Sequence, residues 1–379
     1  MKKIFIALSI FILFICKVSA EDLSLKAKSA ILIEPSTRKV IYELNPDEKL
    51  NPASMTKIMS LILVMDSIEN NKIKLTDEVT ISKEASSMGG SQVYVNEGEV
   101  YTVEELLKAV SIASANDAVV ALAEKVAGSK EKFVEMMNKK ASDLGLINTH
   151  FMNPHGLDEE NHYSTAKDMS IMGIELLKYK NILNYTSRYE DYFKKKDGSS
   201  IWLVNTNKLV KFYNGMDGLK TGYTESAGYC LTATASRNNL RFISVVMGEE
   251  SIENRTEDTL KLLNFAFNTI KKEQILSKDK KIDTLKLKLG NKEKVDVYLK
   301  NDVARLTDIN SEKLKYKYSI KYNKIKYPIK SGEKVGNITI TESNGVVIKE
   351  DLIVKDKVNK ISFVKLFRNN IKTISTGAF

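Results

Sequence analysis

Residues 58–68 read Ile-Met-Ser-Leu-Ile-Leu-Val-Met-Asp-Ser-Ile. Wound at 3.6 residues per turn, this run is apolar nearly all round and has no solvent face. Such a helix must be wrapped by other elements, so it belongs at the centre of a domain. Residues from about 28 to 270 supply the wrapping, a mixture of strand and helix patterns. Residues 30–33 and 40–43 flank Pro35-Ser36-Thr37, a strand–turn–strand signature. Thr102-Val103-Glu104-Glu105 has capping-box spacing ahead of Leu106, Leu107 and Val110. Residues 117–126 read as a second helix ended by Gly128. Residues 230–236 and 240–247 form a hairpin about Arg237-Asn238-Asn239, and apolar residues return at helical spacing over 257–267.

The head of the central helix raises a chemical question. Ser54-Met55-Thr56-Lys57 sets a serine and a lysine three apart, with Pro52 suited to a first helical turn. A serine there feels the positive end of the helix dipole, but it attacks a carbonyl only when a base takes its proton. Lysine can be that base once desolvation or a nearby cation lowers its pKa, and Met55, Ile58, Met59 and Leu61 offer desolvation. Spacing alone decides nothing. Ser-x-x-Lys begins at seven positions: Ser36, Ser54, Ser129, Ser164, Ser277, Ser331 and Ser362. Only the Ser54 copy leads into an apolar helix of this kind.

Two other polar clusters stand out. Ser114-Ala115-Asn116 falls at the junction of two predicted helices, where both side chains face a cleft or one of them merely caps the second helix. Another Ser-x-Asn begins at Ser236. Lys220-Thr221-Gly222 is the only Lys-Thr-Gly in the chain. Gly222 allows close backbone approach, while Lys220 and Thr221 offer a cation and a hydroxyl to an anion such as a peptide's terminal carboxylate. A lysine beside a tight turn is the plainer alternative.

In the order Ser-x-x-Lys, Ser-x-Asn, Lys-Thr-Gly, the three clusters resemble those of low-molecular-mass penicillin-binding proteins, specifically serine-type D-alanyl-D-alanine carboxypeptidases. The stretches ILIEPSTRKVIYELN, NPHGLDEENHYSTAKDMS and DGLKTGYTESAGYCLTATA extend the likeness over about residues 29–268. The resemblance implies an α/β (α+β) fold of the serine β-lactamase/transpeptidase type, an antiparallel sheet flanked by helices. It also implies residue roles. Ser54 would be the nucleophile and Lys57 its base. Ser114 would relay the proton to the leaving nitrogen, and Asn116 would hold Lys57 and the substrate amide. Lys220 and Thr221, beside Gly222, would bind the carboxylate, and the backbone N–H groups of Ser54 and Tyr223 would form the oxyanion hole. The implied partners are peptidoglycan stem peptides and β-lactam antibiotics, and no metal or organic cofactor is needed.

Three rival functions are weighed against this. A class A β-lactamase needs a Glu-x-x-Leu-Asn element, absent between Asn116 and Lys220. A metallopeptidase would draw on His150, His155 and His162, the only histidines, but these form no His-x-x-x-His or His-Glu-x-x-His pattern. A catalytically silent wall-binding module would not need the motif residues, and all are intact.

The termini carry other signals. Lys2 and Lys3, an apolar run over 4–15, and Val18-Ser19-Ala20 read as a signal peptide of residues 1–20, too short for a comfortable membrane span. Removing it takes three lysines and no acids, lowering the formal charge from +10 to +7. A mildly basic exported chain fits an anionic membrane or wall surface, with no dense basic motif for nucleic acid. Cys230 alone remains after cleavage, so no internal disulfide is available; in its apolar run it reads as a small buried hydrophobe. The catalytic domain is expected over 21–274. Leu285, Leu287 and Leu289, then Leu314, Tyr316, Tyr318, Ile320 and Tyr322, alternate with mostly polar residues, and Asn344-Gly345 signals a hairpin. A small all-β C-terminal domain is expected over 279–356. Residues 358–379 carry Lys360, Lys365, Arg368 and Lys372 with no acid, and apolar residues at helical spacing. They read as an amphipathic membrane-association helix on the outer face of the cytoplasmic membrane, or as a helix packed on the β domain.

Overall fold

The computed structural model describes residues 23–365 together with 367 and 368. They divide into two compact units between Phe267 and Asn268. The main sheet of the first unit contains β1 (Ser29–Glu34), β2 (Lys39–Leu44), β3 (Met216–Thr224), β4 (Gly228–Arg237) and β5 (Leu240–Glu249). Its order is β2-β1-β5-β4-β3, antiparallel throughout, with β3 at an edge. The principal helices are α1 (Lys57–Glu69), α2 (Val103–Ala113), α3 (Asn116–Ala127), α4 (Ala166–Leu176) and α5 (Ile252–Thr269).

Strand alternation explains why helices cover both faces of this sheet. Ile31, Ile33, Ile243, Val245 and Met247 share one core with Ile58, Met59 and Ile62 of α1 and Met169 and Met172 of α4. On the other face Phe242 meets Phe267 edge-on, with ring centroids 5.0 Å apart. Residues 57–65 of α1 are all buried, as a helix without a polar stripe requires. The capping box forms as well: Glu105 N–H donates to Thr102 Oγ1 at 3.2 Å and Thr102 N–H to Glu105 Oε2 at 2.7 Å. Gly128 ends α3 at φ +85°, a conformation that favours glycine.

In the second unit, β6 (Ile270–Leu276), β7 (Lys281–Lys286), β8 (Lys294–Leu299), β9 (Val303–Asp308), β10 (Tyr316–Tyr322), β11 (Lys334–Glu342) and β12 (Val347–Val354) form two antiparallel sheets. One is the β6–β9 pair and the other runs β7-β8-β12-β11-β10. Both contribute to one core, in which Val297, Leu299, Ile338, Ile340 and Leu352 are buried. The β11–β12 turn carries Asn344 and Gly345. The terminal helix begins later than residue 358. Val358 is fully buried in this core, and Ile361 N–H donates to Leu289 O at 2.9 Å. Helical backbone starts at residue 363, where Phe363, Val364 and Phe367 are exposed. The expectations for residues 1–20 and 369–379 lie outside the described residues.

Candidate active site

A short 3-10 turn, Ala53–Thr56, precedes α1 and carries Ser54. Strand β3 crosses this turn. A Cβ on Gly222 would stand 2.7 Å from Pro52 O and 3.2 Å from Met55 N, so only glycine lets the strand pass so close. From the opposite side, Gly156 at φ +87° touches the same turn. A Cβ there would fall 1.9 Å from Ala53 O. The turn that bears Ser54 is thus gripped between two glycines distant in sequence.

Lys57 is fully buried one helical turn on. Its Nζ lies 2.9 Å from Ser54 Oγ, 2.6 Å from Asn116 Oδ1 and 2.8 Å from His155 O. The last two atoms can only accept. A neutral amine has two N–H donors and one lone pair. Two donors to Asn116 and His155 leave the lone pair for the Ser54 hydroxyl. Burial, and after it the like charge of Lys220, holds Lys57 well below the usual lysine range, while Asp117 opposes the shift. The arrangement can therefore accept a proton from Ser54.

Asn116 opens α3, and its Nδ2 donates to Gly89 O at 2.7 Å, which fixes Oδ1 on Lys57. Ser114 ends α2 in the left-handed region at φ 65°; its Oγ is buried without a hydrogen-bond partner and borders the cleft. Lys220 is buried on β3, its Nζ donating to Thr221 O at 3.0 Å. Burial, with Arg255 adding repulsion, brings Lys220 down to about 7. Thr221 Oγ1 donates to Thr206 Oγ1 at 2.7 Å.

Ser54, Ser114, Thr221, Gly222 and Tyr223 line one cleft of about 500 Å³. Lys57, Asn116 and Lys220 stand behind it as buried polar groups. Tyr223 is half exposed and stacks on Tyr229, with centroids 4.3 Å apart. As the edge strand, β3 turns alternate backbone groups away from β4, on the side open to the cleft.

Several contributors were invisible in the sequence. His155 acts through its carbonyl, which side-chain patterns cannot reveal. Its ring accepts from Leu157 N at 3.2 Å, and burial lowers it to about 3. His162 shares a hydrogen bond with Thr56 Oγ1 at 2.8 Å and accepts from Met152 N at 3.0 Å, and His150 Nδ1 meets Asn161 O at 2.9 Å. The histidines thus brace the loop beside the turn. Asp117 is buried and accepts from Val93, Val95 and Ala118 N–H groups. Arg255, nearly buried on α5, borders the cleft with no partner for Nε. Cys230 is buried and desolvation raises its thiol to about 11, unsuited to nucleophilic work.

Known proteins resemble both units of the chain. The family model described as D-alanyl-D-alanine carboxypeptidase matches residues 16–251, and the model of the penicillin-binding protein 5 C-terminal domain matches residues 271–360. D-alanyl-D-alanine carboxypeptidase DacF of Bacillus subtilis is 43% identical over 351 residues, covering 92% of this chain and 90% of the relative. The solved structure of penicillin-binding protein 5 from Haemophilus influenzae superposes with a TM-score of 0.72 at 31% identity, covering 88% of this chain and 98% of the other. Penicillin-binding protein D2 from Listeria monocytogenes, solved in its ampicillin-bound form, is 31% identical with a TM-score of 0.58, covering 64% and 98%.

Proposed function

The chain belongs to the D-alanyl-D-alanine carboxypeptidase family, and from that premise we propose that it removes the terminal D-alanine of peptidoglycan stem pentapeptides through an ester on Ser54. One observation carries the mechanism: the buried Lys57 Nζ lies 2.9 Å from Ser54 Oγ, and burial holds this lysine well below its usual range, so that as a free amine it can take the Ser54 proton. Ser54 Oγ attacks the carbonyl carbon of the penultimate D-alanine as its proton moves to Lys57 Nζ. The oxyanion is held by the backbone N–H groups of Ser54 and Tyr223, each worth about 3–4 kcal/mol. The carbon–nitrogen bond then breaks, and the departing nitrogen takes a proton passed from Lys57 through the Ser114 hydroxyl. Water hydrolyses the ester, with Lys57 again accepting a proton.

The substrate's terminal carboxylate falls to Thr221 and Lys220. Arg255 joins them as a third donor, because its buried cation borders the same cleft and its Nε has no hydrogen-bond partner among the described residues. β-Lactams acylate Ser54 by the same attack. D-alanine release from a peptide ending in D-Ala-D-Ala tests the reading, and Ser54→Ala should abolish it. Release undiminished in that variant would overturn the mechanism. Fast, repeated nitrocefin hydrolysis would instead favour a β-lactamase.

The enzyme acts outside the cytoplasmic membrane after removal of residues 1–20, tethered through its C-terminal tail. Support comes from the exposed Phe363, Val364 and Phe367 in a segment without acids. No helix among the described residues is long and apolar enough to cross a membrane. Val358 is a core residue, so the tether is tested by truncation after Ile361. The shortened chain should keep D-alanine release and lose sedimentation with anionic vesicles.

A further inference from the structure

The five-stranded sheet of the second unit has one face in the core and one in solvent. The strand register places Lys317, Ser319 and Lys321 of β10, Asn337, Thr339 and Thr341 of β11, and Lys349 of β12 on the solvent face. Lys286 and Lys294, cross-strand partners on β7 and β8, share that face. Among the described residues none of these five lysines has a carboxylate partner; the ion pairs nearby are Lys281–Asp296 and Lys334–Asp351. Both acids of the face are therefore already neutralised, and the five lysines remain as excess positive charge.

Lysines on an edge strand guard against aggregation, which accounts for Lys317 and Lys321 on β10. It accounts in the same way for Lys286 on the other edge strand, β7, but not for Lys349 on β12 or for Lys294 on β8, which faces Lys286 across the ladder. Like charges directly across a ladder destabilise it, their Cβ atoms being about 5 Å apart. Lys286 facing Lys294 makes sense if an anion bridges them.

We propose that this face binds a linear polyol-phosphate polymer, an anionic phosphodiester chain of the kind found in cell walls. The lysines meet the phosphates, and Ser319, Asn337, Thr339 and Thr341 hydrogen-bond the polyol oxygens. Sheet shape favours a flexible chain over a flat membrane. Tyr322 Oη on the last strand donates to Asp283 on the first, at 2.6 Å across the inner side. The sheet is therefore curled and its lysine face convex. A flexible polymer can wrap that surface, whereas a planar bilayer touches one strip of it.

The test uses the full chain, purified poly(glycerol phosphate) and vesicles containing phosphatidylglycerol. The wild type should bind the polymer with an affinity that falls as salt rises. Lys317→Gln/Lys349→Gln/Lys286→Gln should weaken polymer binding about tenfold while D-alanine release is unchanged. Lys286→Gln/Lys294→Gln should weaken binding and raise the melting temperature, because it removes a repulsion. A merely structural role for the pair predicts no such opposition. Wild-type protein that ignores the polymer at 0.1 M salt, or variants that bind as well as wild type, would overturn the proposal. So would vesicle binding that falls with these substitutions while polymer binding stands.

Discussion

Ser54, Lys57 and Asn116 come together as their motif order implied, because each sits at or beside the start of a helix whose sequence signals are strong. Lys57 owes its chemistry to burial first and to Lys220 second. Its proton must be absent for Ser54 to be activated, so the acylation rate should fall as pH drops through the Lys57 pKa. Lys220 titrates at about 7 and must keep its proton to attract a carboxylate. Peptide KM should therefore rise above pH ~7, leaving a bell-shaped profile of kcat/KM. A profile that stays flat from pH 5 to 9 would contradict both assignments. Arg255 and the His155 carbonyl escaped sequence reading for different reasons. Arg255 reaches the cleft from a helix on the far side of β5, and a carbonyl has no letter in the alphabet.

Among elements, the central helix, the capping box and the β4–β5 hairpin were legible because local periodicity and caps determine them. The two-stranded ribbons, Glu78–Thr80 with Val100–Thr102 and Glu190–Lys194 with Ser200–Val204, went unread. Strands of three to five residues carry too few alternations to register. Helix α5 starts at Ile252, before the expected 257, since its first turn is polar. The junction of α2 and α3 depends on Asp117, whose carboxylate accepts from Val93 N–H at 3.0 Å and Val95 N–H at 3.3 Å. Asp117→Asn should cost about 1–3 kcal/mol of stability by giving up acceptors for these buried amides. It should also remove the carboxylate that raises Lys57. The acid limb of the acylation profile then moves to lower pH, whereas a structural defect alone would lower the rate without moving the limb.

At the scale of the whole molecule, the chain divides between Phe267 and Asn268, whereas the composition changes only near residue 274. What composition could not reveal is how far-apart segments meet. Glu249 ends β5 buried, with neither carboxylate oxygen hydrogen-bonded, and burial followed by Asp258 pushes it up to about 8. Asp258 in turn binds the backbone N–H of Ala27 at 3.1 Å and the ammonium of Lys261 at 3.2 Å. The folded protein keeps a proton on Glu249 that the unfolded chain releases above about 4.5. Stability from this group is therefore greatest at low pH, declines as pH rises through about 8 and then levels off. Glu249→Gln should flatten that decline. Between pH 5.5 and 8.5 its melting temperature should change by at least ~2 °C less than that of wild type. Equal slopes in the two proteins would refute the role.

Cys230 turns burial into a clock. It is the single cysteine among the described residues, wholly buried on β4, with its thiol pushed up by desolvation. A thiol reagent can reach it only after the first unit opens. Its labelling rate therefore reports the frequency of opening without any engineered probe, and acylation of Ser54 by a β-lactam should slow that rate if the ester locks β3 against the Ala53–Thr56 turn.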